Sequence, residues 1–323
     1  MATQINNNTM KITVLDKISF TNGDLNLNCF NLFGKVEYYD ILPKNEVASV
    51  LKNTDIVVCN KTVFDKELID KCPSLKFIGL TATGFNNVDT AYAKEKGIVV
   101  CNVPNYSTRD VAQHVFAFIL NYTNKVSEYD LTVKQGKWQQ SKTFCYFNIP
   151  LTELAGKTLG VIGYGNIGKE VSKIATAFNM NVLVYNRTKK EMPYSQVDLE
   201  TLFKESDFIT IHCALNEDTK NLINEKSLSL MKKSAVLINT ARGGVIDEVA
   251  LKNALVSGQI AHACLDVLQV EPMQKDCVLF GLNNVTFTPH IAWAPTECRQ
   301  RVVELVAKNI EAFLNGKPIN VVN

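Results

Sequence analysis

No Cys-x-x-Cys pair occurs among the nine cysteines of the chain, and their number is odd. The first absence excludes a zinc ribbon, and the two together argue against a disulfide framework. Several of the cysteines lie in apolar runs such as "DIVVC", "GIVVC" and "HACLDV", the pattern of buried free thiols in a reducing compartment. A surplus of charge is missing too: 34 Lys and Arg offset 32 Asp and Glu, for a net +2. Such a chain has no electrostatic footprint for nucleic acid or an anionic membrane surface. No apolar stretch approaches the roughly 20 residues that a membrane span requires. The opening "MATQINNNTM" lacks the basic and apolar parts of a secretory leader. A cytoplasmic protein without nucleic-acid, membrane or metal partners is the expectation. Histidine is scarce as well, with only His114, His212, His262 and His290 available for acid–base work near neutral pH.

What is present is a full core and room for two domains. The 323 residues are 46% hydrophobic and 20% charged, ordinary for a globular chain of about two domains. Short β-branched runs predict strands at 11–16, 55–60, 75–80 and 97–102, with helices such as "FDKELIDK" and "VDTAYAKEKG" between them. Gly97 closes the latter as a helix stop. The segment 107–134 then reads as one helix, with Val111, Val115, Ile119 and Leu120 on its apolar stripe. After an irregular stretch a second series of strands follows at 158–163, 181–186, 207–212, 235–240, 261–267 and 284–290. A last helix spans about 295–315, with Pro295 in its first turn. Apolar strands alternating with helices imply parallel sheets covered on both faces. The fold class is therefore α/β, with two doubly wound units, the first of them discontinuous in sequence.

The stretch "GVIGYGNIGKE" sets Gly163, Gly165 and Gly168 in a GxGxxG spacing between a predicted strand and a predicted helix. Gly163 permits a tight turn, Gly165 lets the backbone approach a pyrophosphate, and Gly168 allows close helix–strand packing. Asn166 and Ile167 open the helix, whose N–H groups and dipole favour phosphate. The acidic residue that holds the ribose 2′-OH in NAD-binding folds is absent. Asn186, Arg187, Thr188, Lys189 and Lys190 stand there instead. A guanidinium at Arg187 suits a 2′-phosphate, so NADP(H) is the favoured cofactor. NAD(H) is the alternative, with Asn186 bonding a 2′-OH.

Three strand-end stretches carry the groups for chemistry: "INTARGGVID" with Thr240 and Arg242, "CLDVLQVEP" with Asp266 and Glu271, and "TFTPHIAW" with His290. Ligands in open α/β sheets collect at such carboxyl ends. Beside a nicotinamide, Arg242 would clamp the carboxylate of a 2-oxo acid. His290 would donate a proton to the carbonyl oxygen as hydride arrives at carbon. Glu271 would orient the imidazole by its opposite charge.

With "ATGFNNVD" (82–89), "NVPNYSTRDVAQH" (102–114), "LAGKTLGVIGYGNIG" (154–168) and the ordered ARGG, VEP and PH stretches, the chain resembles the D-isomer-specific 2-hydroxyacid dehydrogenases along nearly its whole length. The spacings of 29 residues from Arg242 to Glu271 and 19 on to His290 are close to that family's. The resemblance implies that Arg242, Glu271 and His290 are catalytic, that Asp266 lies near the nicotinamide carboxamide, and that Ala82, Thr83 and Gly84 bind the substrate carboxylate. It implies a flavodoxin-like substrate-binding domain of residues 1–104 with 294–323 and a Rossmann domain of residues 105–293. A cleft between them, hinge closure on substrate and a homodimer joined through the cofactor domains are implied as well. The stretches "FCYFNIPLTELAGKTLG" and "TPHIAWAPTECRQR" look most like the glycerate dehydrogenase, or hydroxypyruvate reductase, branch. That implies reduction of hydroxypyruvate to D-glycerate, with glyoxylate as a side substrate. The phosphoglycerate branch carries an Arg where this chain has Cys59, Asn60 and Lys61. Trp138, Phe144 and Tyr146 either shape a substrate pocket or pack in the core. Another 2-hydroxyacid specificity, or a non-enzymatic dinucleotide-sensing corepressor on the same scaffold, are the competing readings.

Overall fold

The computed structural model describes residues 10–323; residues 1–9, where no leader is expected, lie outside them. Two compact units are present, one of Met1–Ser107 with Ala294–Asn323 and one of Thr108–Trp293.

In the first unit five strands pair in parallel: β1 (Lys11–Val14), β2 (Lys35–Tyr38), β3 (Ile56–Cys59), β4 (Phe77–Leu80) and β5 (Val99–Cys101). Their order is β2-β1-β3-β4-β5, that of flavodoxin-like sheets. Helices α1 (Lys44–Leu51), α2 (Lys66–Asp70) and α3 (Thr90–Glu95) connect them. Every residue of β3 and β4 is buried, as strands covered on both faces require. The sequence showed no apolar run at β2, and the reason is its place. It is an edge strand, "KVEY", with no fully buried residue, and edge strands are kept charged against mispairing. Asp65 and Asp89 cap α2 and α3 by accepting from the Leu68 and Tyr92 N–H groups at 2.9 and 3.0 Å. Gly97 ends α3 at φ +73°, as expected of a helix stop.

The predicted single helix over 107–134 is two, α4 (Thr108–Asn124) and α5 (Val126–Lys134). The break is Lys125, in the left-handed region at φ 52°. Neither Gly nor Pro marks it. The Thr123 hydroxyl donates back to the Ile119 carbonyl at 2.9 Å, a local bond that competes with helix continuation. The Lys125 ammonium turns onto Glu128 at 3.1 Å and over the Tyr122 ring. Helix α4 buries Val111, Val115 and Ile119, whereas α5 buries nothing.

Seven parallel strands build the second unit: β6 (Thr158–Ile162), β7 (Asn181–Tyr185), β8 (Ser195–Gln196), β9 (Phe208–Ile211), β10 (Val236–Asn239), β11 (His262–Leu265) and β12 (Val285–Phe287). Connecting helices are α6 (Asn166–Ala177), α7 (Leu199–Glu205), α8 (Glu225–Leu230) and α9 (Glu248–Val256). The order β12-β11-β10-β9-β6-β7-β8 is the Rossmann arrangement lengthened by one strand. Winding reverses between β6 and β9, and ligands bind at the carboxyl ends beside such a switch point. The two-residue β8 is too short to leave a periodic signal. Helix α10 (Thr296–Leu314) belongs to the first unit, where it buries Val302, Val303, Val306 and Ile310. Pro295 is its N-cap rather than part of its first turn. The tail then lies along β5, with Val322 N–H donating to Val100 O at 2.9 Å, which covers that sheet edge.

Acid should loosen the second unit through His262. Its ring lies 5.0 Å from Tyr122, Nε2 is 2.9 Å from the Thr286 hydroxyl, and burial pushes its pKa down to about 4. The neutral ring suits the fold, while an unfolded histidine takes up its proton near pH 6.5. This stability is full above about pH 6.5 and is lost as pH falls towards about 4, by up to roughly 3 kcal/mol. Urea unfolding across that window should show the fall, and His262→Gln should flatten it.

Candidate active site

The glycine loop joins β6 to α6 at the switch point. Gly163 turns at φ +96°, and a Cβ there would meet the His212 and Cys213 backbone at 2.8 Å. A Cβ on Gly168 would collide with the Gly163 carbonyl, so helix and strand pack as closely as the spacing suggested. Gly165 is different: a Cβ there would meet nothing within 4 Å, and as N-cap it offers α6 no side-chain cap. No Cβ therefore stands at the start of the helix, where its positive dipole end lies. Asn166 and Ile167 form its first turn.

After β7, Asn186 does a job the sequence did not reveal. Its Oδ1 accepts from the Tyr164 N–H at 3.1 Å and its Nδ2 donates to Thr188 O at 2.7 Å. Lys190 Nζ donates to Tyr164 O at 3.0 Å. The residue standing where the acid is absent therefore struts the glycine loop. Arg187 is exposed and pairs with Asp218 at 3.3 Å.

The three loops after β10, β11 and β12 are neighbours because their strands are. Asn239 orders the first: its Oδ1 accepts from Ala241 N–H and its Nδ2 donates to Arg242 O. The exposed Arg242 guanidinium donates to Ala241 O at 2.7 Å and forms no ion pair among the described residues. Gly243 seats this loop on the next one, since a Cβ there would strike the Leu268 carbonyl and Gln269 nitrogen. Glu271 Oε1 accepts from Leu268 N–H at 3.0 Å. Glu271 Oε2 lies 2.6 Å from His290 Nδ1, and both side chains are about one-third exposed (35% and 33%). An imidazole whose Nδ1–H is held by a carboxylate presents Nε2 for proton exchange.

Asp266, 2% exposed, is the hub of the His290 loop. Its carboxylate accepts from the Thr288 hydroxyl at 2.5 Å and from Ile291 and Ala292 N–H at 2.8 and 3.0 Å. Its carbonyl accepts from His290 N–H at 2.8 Å. His290 itself sits at φ 55°, and its carbonyl accepts from Trp293 Nε1. Sequence reading missed Thr288, two places before His290, and gave His114 no role although its Nε2 lies 3.0 Å from the Thr288 hydroxyl.

A nicotinamide dinucleotide fits these residues on one further observation. Thr240 Oγ1 is buried beside the Arg242 loop with no hydrogen-bond partner among the described residues, an arrangement that a polar ligand would relieve. Among the described residues no group of three His, Cys, Asp or Glu could hold a metal ion, and no helix is long and apolar enough to cross a membrane.

Residues 116–292 match the family model described as "D-isomer specific 2-hydroxyacid dehydrogenase, NAD binding domain". A hydroxypyruvate reductase of Blautia hydrogenotrophica is 40% identical over 321 residues, covering 97% of this chain and 100% of that one. The chain belongs to the D-isomer specific 2-hydroxyacid dehydrogenase family. A glycerate dehydrogenase of Methylorubrum extorquens is likewise 40% identical, over 97% of this dehydrogenase and 99% of its own length. Among solved structures, an acyclic imino acid reductase in complex with NADPH and D-Arg is 38% identical, with a TM-score of 0.84, over 97% of this dehydrogenase and all of that chain.

In the first unit of the dehydrogenase, Ala82, Thr83 and Gly84 follow β4. Their backbone N–H groups donate to no acceptor among the described residues. Val103 N–H bonds to Ala82 O, and the Asn102 amide and the Thr83 hydroxyl cross-link the two loops. Asp16 holds the turn at Asn60, Lys61 and Thr62 through their N–H groups, leaving the Lys61 side chain exposed. Trp138 and Phe144 are 52% and 89% exposed, which removes the core-packing reading for both. Tyr146 is half-buried, with its hydroxyl on Thr132.

Proposed function

We propose that this dehydrogenase reduces hydroxypyruvate to D-glycerate, with glyoxylate as a side substrate. The observation that carries the reading is the Glu271–His290 pair beside the Arg242 loop. A bound nicotinamide supplies the hydride at the carbonyl carbon. The chain supplies the rest. His290 Nε2 gives its proton to the carbonyl oxygen, Glu271 holds Nδ1–H throughout, and solvent restores the proton. Arg242, which forms no ion pair among the described residues, pairs the substrate carboxylate; Ala82, Thr83 and Gly84 are the substrate-binding residues of the first unit, through their N–H groups. Gly163, Gly165, Asn166, Ile167 and Gly168 hold the pyrophosphate, Thr240 and Asp266 border the nicotinamide, and residues 1–104 with 294–323 form the substrate-binding part. An unphosphorylated substrate is favoured because Lys61 alone stands where an arginine would serve a phosphate.

Within the same reading the cofactor is NADPH in preference to NADH, received at Arg187 with Asn186 and Thr188 beside it. Arg187→Glu should raise the KM for NADPH about 10- to 100-fold, the value of a charge-assisted bond, with little change for NADH. An unchanged ratio would remove this part of the proposal. The related reductase solved with NADPH supports it. The nine free cysteines support a reducing, cytoplasmic compartment. The exposed Val126, Leu131, Trp138, Phe144 and Phe147, all in the Thr108–Trp293 unit, support a homodimer joined through the cofactor domains.

Initial rates with hydroxypyruvate, glyoxylate and 3-phosphohydroxypyruvate, each with NADPH and NADH, test the substrate. Fast turnover of hydroxypyruvate is expected. Activity on the phosphorylated acid alone would make Lys61 the residue to change, and binding of cofactor without turnover of any acid would favour the sensor.

A further inference from the structure

Thr288 and His114 form one chain of hydrogen bonds that ends in the loop carrying His290. The Thr288 hydroxyl has one hydrogen, and it goes to Asp266 Oδ1 at 2.5 Å. Towards His114 Nε2, 3.0 Å away, the same oxygen can only accept. The ring must therefore carry its hydrogen on Nε2. The His114 ring stands edge-on to Phe118 at 4.6 Å, and burial lowers its pKa against the opposing pull of Asp266. The direction is fixed as His114 Nε2–H to Thr288 Oγ1–H to Asp266 Oδ1. Beyond Asp266 the chain fans out to the Ile291 and Ala292 N–H groups, while the Asp266 carbonyl takes the His290 N–H.

We infer that Thr288 and His114 are positioning residues for proton transfer at His290. His290 stands at φ 55°, a backbone conformation that a non-glycine residue keeps only where its surroundings over-determine it. The bonds from Asp266 to residues 288, 290, 291 and 292 are those surroundings. Asp266 can hold the two later amides in register only if its carboxylate cannot rotate. The Thr288 hydroxyl blocks that rotation, and His114 fixes the hydroxyl. Loss of the chain leaves His290 present and its carboxylate partner intact, but frees the backbone that aims Nε2. The inference rests on the reading of His290 as the acid–base group, so its test must separate the two.

The test uses the full chain with Thr288→Val, Thr288→Ser, His114→Leu, the double variant T288V/H114L and, as reference, His290→Ala. With hydroxypyruvate, T288V should lower kcat about 10- to 100-fold, the scale of an ångström-sized misplacement, with both KM values nearly unchanged. T288S should restore the rate. Because the two residues act in one chain, the double variant should be no worse than the poorer single variant. In the cofactor-free protein, amide exchange at Ile291 and Ala292 should quicken about tenfold or more in T288V and not in T288S, as local opening requires. Wild-type protection of those amides in T288V overturns the inference whatever the activity. So do a wild-type kcat in T288V, fully additive losses in the double variant, or a loss that T288S does not rescue. A wild-type rate in H290A overturns the functional reading instead, and the amide exchange alone then decides whether Thr288 holds the loop.

Discussion

Replacing His290 with Ala should lower kcat by about 10²–10⁴-fold, the usual contribution of a positioned acid–base group, while dinucleotide binding survives. The expectation follows from the separation of tasks in the second unit. The glycine loop at the carboxyl end of β6 is built by Gly163, Gly168 and Asn186, and no hydrogen bond among the described residues joins Asn186 to His290. His290 is joined instead to Glu271 at 2.6 Å. Glu271→Gln should reduce the rate less, because an amide oxygen still accepts the Nδ1–H but brings no charge to a developing imidazolium. Steady-state rates paired with tryptophan quenching by NADPH measure both halves. A variant that binds cofactor and reduces hydroxypyruvate at the wild-type rate would remove His290 from the chemistry.

Gly243→Ala should be nearly as damaging, although it adds only one methyl group. The added Cβ would lie far inside van der Waals contact with the backbone of Leu268 and Gln269. Backbone cannot swing aside as a side chain can. The loop that presents Arg242 must then lift from the segment that ends in Glu271, whose Oε1 is anchored on Leu268 N–H. Overpacking of this kind destabilises by about 1–3 kcal/mol, and a misplacement of about 1 Å at the site lowers the rate about 10²-fold. Gly244→Ala is the contrast, because its Cβ would meet only the flexible Leu215 side chain at 3.0 Å. Thermal unfolding and kcat measured on both variants should separate them clearly.

The parts of the fold that bury apolar residues on both faces were legible in the sequence. The strands β3, β4, β9, β10 and β11 appear there as short, largely apolar runs because helices cover both sides of them. The edge strand β2 was not legible, since a half-exposed "KVEY" looks like any polar segment, and two-residue β8 has no period to read. The break at Lys125 escaped notice for another reason. A left-handed lysine has no residue signature, and the bond that competes with the helix comes from the Thr123 hydroxyl, a residue type common in unbroken helices. In the site, Arg242, Glu271 and His290 announced themselves by residue type and spacing. Asn186, Thr288 and His114 did not. What they do lies in which partners they hold, a backbone N–H for Asn186 and side chains for Thr288 and His114, and those partners, from 22 to 174 residues away, are joined only by the folded sheet. Thr240 falls between: it stood in a strand-end motif, but only burial of its hydroxyl, without a hydrogen-bond partner among the described residues, gives it a physical reason to meet a ligand.

The most direct measurement is reduction of hydroxypyruvate by the purified chain, following loss of the reduced nicotinamide and the configuration of the glycerate formed. The account predicts one D-glycerate for each NADPH or NADH oxidised, at a rate lowered about 10²–10⁴-fold by His290→Ala. Oxidation without D-glycerate, or tight cofactor binding with no turnover of hydroxypyruvate, would contradict it.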